Sequence, residues 1–172
     1  MPGFWANHSK PTEEQFALLG KSVTAWGIID HLVNAVLARL AQTPDFIGLA
    51  LTDDLGFRQR MTAINNLVDI HRRRYRVPHL DADTLSEAVR VAAALDKAKP
   101  NRNNMAHHVW MRVTDDQLFA VRLKGRQDNP AKSDGTQLLS NSELADLTAE
   151  AESLIGQLEA LIDRLPEVPE TR

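Results

Sequence analysis

Apolar residues recur every three or four positions through most of this chain, and the one stretch that breaks the rhythm is crowded with polar side chains. The first helical stripe holds Phe16, Leu19, Val23, Trp26, Ile29, Leu32, Val33, Val36, Leu37 and Leu40, and Thr43-Pro44 ends it. Thr12, with Gln15 three residues on, forms a capping-box start. Gly20 and Gly27 either weaken this helix or let another helix approach closely. Asp30, His31 and Asn34 interrupt its later part with polar groups. Residues 46–51 form a short apolar piece of one or two helical turns. A second long pattern covers about residues 57–75, with Met61, Ile64, Leu67, Val68 and His71 at helical spacing, until Val77-Pro78 stops it. A third covers about residues 83–99, with Leu85, Val89, Ala92, Ala93 and Leu95 inward. Pro100 breaks this helix or restarts a short one as its first residue.

Beyond residue 109 the period shortens. Trp110 to Val113, a turn at Thr114-Asp115-Asp116-Gln117, and Leu118 to Leu123 predict a small β-hairpin, with Phe119, Val121 and Leu123 alternating against Ala120, Arg122 and Lys124. Residues 125–137 read as a polar, mobile loop. Ser140-Asn141-Ser142-Glu143 is a second capping box. After it, Leu144, Leu147, Ala151, Leu154, Leu158, Leu161 and Leu165 keep a heptad seam, which Ile155 and Ile162 widen. The seam can bury within one subunit, the favoured reading, or pair with a second copy. The expected fold is all-α: a four-helix up-and-down bundle, with the hairpin and loop of residues 110–139 inserted before the last helix.

Length and composition narrow the choice. A chain of 172 residues fits one domain, since domains run to about 100–200 residues. A net charge of −3 argues against a charge-driven nucleic-acid coat, though not against a local basic site. The absence of cysteine excludes disulfides, thiolate metal sites and cysteine nucleophiles, and fits a reducing compartment. Residues 1–10 do not read as a signal peptide, and no apolar run approaches the roughly 18 residues that span a bilayer. A cytoplasmic protein without membrane attachment is expected, with residues 1–10 and 166–172 frayed.

The candidate chemistry sits in Lys99-Pro100-Asn101-Arg102-Asn103-Asn104-Met105-Ala106-His107-His108-Val109-Trp110. Arginine offers a permanent fork for phosphate, and histidine exchanges a proton near neutral pH. On a regular helix Arg102 and His107 point about 140° apart, whereas Asn103 and His107 share a face. A composite site therefore needs an irregular turn, the reach of arginine, or a second copy of the chain. The plainer alternative is an inter-helix turn, for which asparagine is a common residue. No His-Glu-x-x-His, Gly-rich phosphate loop or Gly-x-Ser-x-Gly elbow is present, and no metal or cofactor is expected.

Arg102-Asn103-x-x-Ala106-His107-x-x-Trp110 resembles the arginine-x4-histidine motif of the HEPN superfamily, the higher eukaryotes and prokaryotes nucleotide-binding domains. The helical layout around it is similar as well, while the inserted hairpin and loop depart from the simplest members. The resemblance implies a homodimer with motifs facing across the interface and, in many members, metal-independent endoribonuclease activity. Arg102 would hold the scissile phosphate, His107 would act as general base or acid, and Asn103 would orient one of them. It further implies toxin–antitoxin or defence systems, with an inhibitory partner protein. His108 is a helper or a substitute for His107. Trp110 is core packing before it is a base-stacking platform. Asp30 either pairs with Arg102 or orients His107, or is an acid on a helix flank. Arg72, Arg73, Arg74 and Arg76 form the strong basic run, which suits a helix C-terminus and a solvated face, or else an RNA backbone contact. The alternative function is a catalytically silent helical dimer that binds a partner protein or nucleotide.

Overall fold

Each long helix of the chain begins or ends where side chains can take up backbone groups that the helix itself leaves unpaired. The computed structural model describes residues 10–74, 79–121 and 136–169. They are mostly helical: α1 (Glu13–Leu40), α2 (Asp45–Thr52), α3 (Phe57–Arg74), α4 (Ala82–His107) and α5 (Asn141–Ile162), with a sheet of β1 (Val109–Thr114), β2 (Gln117–Val121) and β3 (Thr136–Ser140) between α4 and α5. Residues 1–9, 75–78, 122–135 and 170–172, which include most of the expected polar loop and both chain ends, lie outside the described residues.

The chain divides into two compact units, Met1–Ala25 with Pro100–Glu150, and Trp26–Lys99 with Ala151–Arg172. In the first, both expected capping boxes form. Gln15 N–H donates to Thr12 Oγ1 at 3.1 Å, and Thr12 N–H donates to Gln15 Oε1 at 3.0 Å. At α5, Glu143 N–H donates to Ser140 Oγ at 3.2 Å, and Ser140 N–H donates to Glu143 Oε2 at 2.7 Å. These bonds to Ser140 hold the Glu143 carboxyl below its ordinary range. Gln15 is fully buried, and its Nε2 lies 3.1 Å from the Thr114 carbonyl and 3.2 Å from that of Asp115. The start of α1 is thereby tied to the turn between β1 and β2.

The hairpin is present but is two-thirds of a sheet. β3 joins β2 antiparallel, with Leu118 opposite Leu139 and Ala120 opposite Gln137. Leu138 and Leu139 fall at the end of the expected insertion, because two leucines are too short a run to show a period of two. The fully buried positions of β2 are Leu118 and Ala120, while Phe119 and Val121, on the opposite face, are only half-buried. Val113 is the extra residue where the β1–β2 register shifts.

In the second unit Ile29, Val33, Val36, Leu37, Ile64 and Leu95 are buried to within 2%. Each such side chain stabilises by roughly 1.5–3 kcal/mol relative to exposure. Of the seam residues, Leu144, Ala151, Leu154, Leu158, Leu161 and Leu165 are buried within the single chain, while Leu147 is half-buried. α1 ends with Gln42 in the left-handed region at φ 55°, while Thr43 N–H bonds the Ala38 carbonyl and Gln42 N–H the Arg39 carbonyl.

Two expectations need correction. α4 does not stop at Pro100; it continues through it to His107. Proline removes one helix hydrogen bond, but the turn beyond it is anchored. Asn101 Nδ2 donates to Glu150 Oε2 at 2.9 Å, Asn104 Nδ2 donates to Gln137 Oε1 at 2.9 Å, and Met105 is buried. Second, α1 is by length and composition apolar enough to cross a membrane, with half of its most apolar window buried.

Candidate functional site

The polar segment that began as a possible turn is the last two turns of α4. Pro100 takes away a backbone donor, and three asparagines follow it. Two of these fasten the helix to its surroundings, Asn101 to α5 and Asn104 to β3. The third, Asn103, accepts a hydrogen bond at its Oδ1 from Arg102 Nη1 at 3.5 Å. Arg102 and Asn103 are half-buried, and His107 is exposed. Asn103 therefore meets the guanidinium, whereas the sequence left open whether it would serve the arginine's phosphate or the histidine.

The two histidines separate in role. His108 follows the last helical residue. Both its backbone N–H, at 3.2 Å, and its ring Nδ1–H, at 3.0 Å, donate to the Asn104 carbonyl. His108 is thus a helix stop, closing a carbonyl that the helix end leaves open. Its ring centroid lies 6.4 Å from that of Trp110, tilted by 48°. Trp110 is half-buried on β1, and its Nε1 is out of solvent contact with no acceptor among the described residues. His107 makes no hydrogen bond or ion pair among the described residues and stands in solvent one helical turn beyond Asn103. Arg102 and His107 come from one helix five positions apart, so the site is not completed by the direction of a regular helix alone.

The remaining candidates belong to the other unit. Asp30 is half-buried on α1 and accepts from Arg60 Nη1 at 3.3 Å, an ion pair with the arginine of α3. Arg60 also donates to the Leu55 carbonyl at 2.9 Å. The sequence singled out Asp30 but not Arg60, which falls on the flank of the α3 stripe and carries no motif. In the basic run Arg72, Arg73 and Arg74 are exposed, with Arg73 3.4 Å from Asp69 and Arg72 donating to Ser86 Oγ at 3.4 Å. Arg76 lies outside the described residues. His71 is 5% exposed, and its Nε2–H donates to the Leu40 carbonyl at 2.8 Å, joining α3 to the end of α1.

Among the described residues no three His, Asp or Glu side chains gather to hold a metal ion. What the end of α4 offers chemically is a half-buried guanidinium held beside an amide, and an accessible imidazole on the same two turns. Comparison with family models, curated proteins and solved structures found no match to this chain.

Proposed function

We propose that the chain is a metal-independent endoribonuclease that works as a homodimer. Two copies of the α4 end would face one another across a groove. The Arg102 guanidinium binds the scissile phosphate and stabilises the charge that builds on its oxygens. His107 takes the proton of the ribose 2′-OH, or gives one to the departing 5′-oxygen. The 2′-oxygen attacks phosphorus, the bond to the 5′-oxygen breaks, and the products end in a 2′,3′-cyclic phosphate and a 5′-hydroxyl. Asn103 positions the arginine. The observation that carries this reading is the pairing of an intact, Asn103-held Arg102 with a solvent-accessible His107 on the same two turns of helix.

The helical periodicity of the sequence carries the finer reading of the fold, α1, α3, α4 and α5 as an up-and-down bundle with the sheet inserted before α5. A cytoplasmic setting accords with the cysteine-free composition, and the likeness of the Arg102 to Trp110 motif to the HEPN superfamily carries a toxin–antitoxin or defence system with an inhibitory partner. The test is cleavage of structured RNA in chelator by the purified chain, with His107→Ala and Arg102→Ala alongside and the mass in solution measured. Chelator-resistant cleavage by a dimer, lost in both variants, is expected. Equal cleavage by all three proteins, or none by any, leaves the second reading, a catalytically silent protein-binding dimer, which the exposed apolar side chains of α2 favour.

A further inference from the structure

Helix α2 leaves four large apolar side chains at the surface. Its buried positions are Gly48 and Thr52, and Gly48 permits close approach to α1, since a Cβ there would collide with the Ala38 side chain. Around them Phe46 (55% exposed), Ile47, Leu49 and Leu51 (67% exposed) face outward. Single exposed apolar residues are ordinary, but Phe46 and Leu49, three apart and so neighbours on the helix surface, make an apolar patch.

The patch runs into a cleft of about 170 Å³ between α1 and α2, lined by His31, Asn34 and Ala35 from one helix and Asp45, Phe46 and Leu49 around the other. That is small beside the roughly 300–1,000 Å³ of drug-sized ligand sites, and suits one large side chain. Asn34 is 6% exposed, yet its amide makes no hydrogen bond among the described residues, and its Oδ1 is out of solvent contact. A buried polar group left so is destabilising. An amide carries a donor and an acceptor, as does the main chain of a bound peptide.

Charge narrows the occupant. Asp53 and Asp54 follow the C-terminal end of α2, both exposed and neither in an ion pair among the described residues. Carboxylates there meet the negative end of the helix dipole, which disfavours them. Arg39 pairs with Asp45 at 3.5 Å, and Arg60 pairs with Asp30 at 3.3 Å and reaches Asp53 only at its main-chain carbonyl, 3.5 Å away, so neither arginine answers the Asp53 or Asp54 carboxylate. An RNA strand would bring phosphates against Asp53 and Asp54. A second copy packed on a two-fold axis would set these same acids against each other.

We infer that this α1–α2 face docks a segment of a different protein, one that carries a large apolar anchor flanked by Lys or Arg. The anchor fills the cleft, its main chain meets Asn34, and its cations answer Asp53 and Asp54. The inference stands whether or not Arg102 and His107 cleave RNA.

The test is to pan a random peptide library on the full chain, with Phe46→Glu and Leu49→Glu chains as counter-selection. Both positions are at the surface, so folding of the variants is checked by circular dichroism. Enriched peptides should share a large apolar residue beside Lys or Arg. The synthesised consensus should bind at least about 10-fold more weakly to either variant. It should bind about 3- to 10-fold more weakly to Asp53→Asn/Asp54→Asn at low salt, a difference that high salt erases. Several results would overturn the inference: no enrichment over the variants, enriched peptides that are acidic or lack the anchor, or affinity indifferent to Asp53 and Asp54. Self-association of the chain that Leu49→Glu abolishes would also overturn it, by making a second copy the occupant.

Discussion

Helices α3 and α4 end in similar residues and to opposite effect. α3 closes on His71-Arg72-Arg73-Arg74, and there the histidine is core while the arginines stand in solvent. α4 closes on Arg102 to His107, and there the histidine is in solvent while the arginine is half-buried. The difference lies in phase. His71 comes three residues after buried Val68 and seven after buried Ile64, so it continues their stripe into the core. His107 comes two residues after buried Met105, on the far side of the helix from it. A histidine in phase with the core becomes a hydrogen-bond donor to an open carbonyl, here that of Leu40. One out of phase stays in solvent.

The largest expected effect is on activity at α4. On the proposed function, His107→Ala lowers RNA cleavage by about 10²- to 10⁴-fold, the usual contribution of a general acid or base. Its stability should stay within about 0.5 kcal/mol, as for exposed positions away from structural features. Cleavage assays in chelator and urea melts on the same preparations read both numbers. A comparable loss of cleavage from His71→Ala, measured where that variant is still folded, would break the contrast.

The mirror experiment is His71→Ala itself. It leaves the Leu40 carbonyl without its donor and opens a void in the second unit. Together these should cost about 2–3 kcal/mol, seen as a lower midpoint in urea with an unchanged slope. A change under about 0.5 kcal/mol would mean that the buried bond is replaced at no cost, and that phase does not explain the difference.

Smaller effects separate the asparagines of α4. Asn104→Ala removes the bond that fastens the helix to Gln137 of β3, and should cost about 1 kcal/mol. Asn101→Ala loses an exposed bond to Glu150, and should stay within about 0.5 kcal/mol. If Asn104→Ala also lowers cleavage more than its stability loss explains, the bond positions Arg102 and His107 besides holding the sheet.

Phase was legible in the sequence wherever it ran long. The stripes of α1, α3 and α5 gave the helices, and Thr12/Gln15 and Ser140/Glu143 gave two of their starts, because a capping box is a local pattern. Local patterns failed at Pro100, whose helix persists through contacts to Glu150 and Gln137, residues far along the chain. They failed again at β3, which exists because β2 offers it an edge. At the candidate site the residue types were visible, but not which histidine would be free. His108 is taken by the Asn104 carbonyl, a bond that depends on where the helix stops. Gln15 read as a cap and proved to be a buried tie to the β1–β2 turn as well, which nothing in its neighbours announces.

The arginines of α3 should matter least. Arg73 lies 3.4 Å from Asp69 on the same exposed face, a pair worth about 0.3–0.5 kcal/mol. Arg72 is engaged with Ser86, and all three gain a little from the negative end of the helix. Replacing Arg72, Arg73 and Arg74 together by glutamine should therefore lower stability by less than about 1 kcal/mol. For RNA the sharper measurement is the salt dependence of binding. Each phosphate neutralised in single-stranded RNA adds about 0.7 to the slope of log affinity against log salt. With two of the three guanidinia already partnered, the slope read by fluorescence anisotropy should fall by less than about 0.7, one phosphate at most. A fall of about 2, the mark of three lost contacts, would make the end of α3 an RNA surface. The two helix ends would then be alike in function, and the phase of their histidines would distinguish only which of them holds the fold.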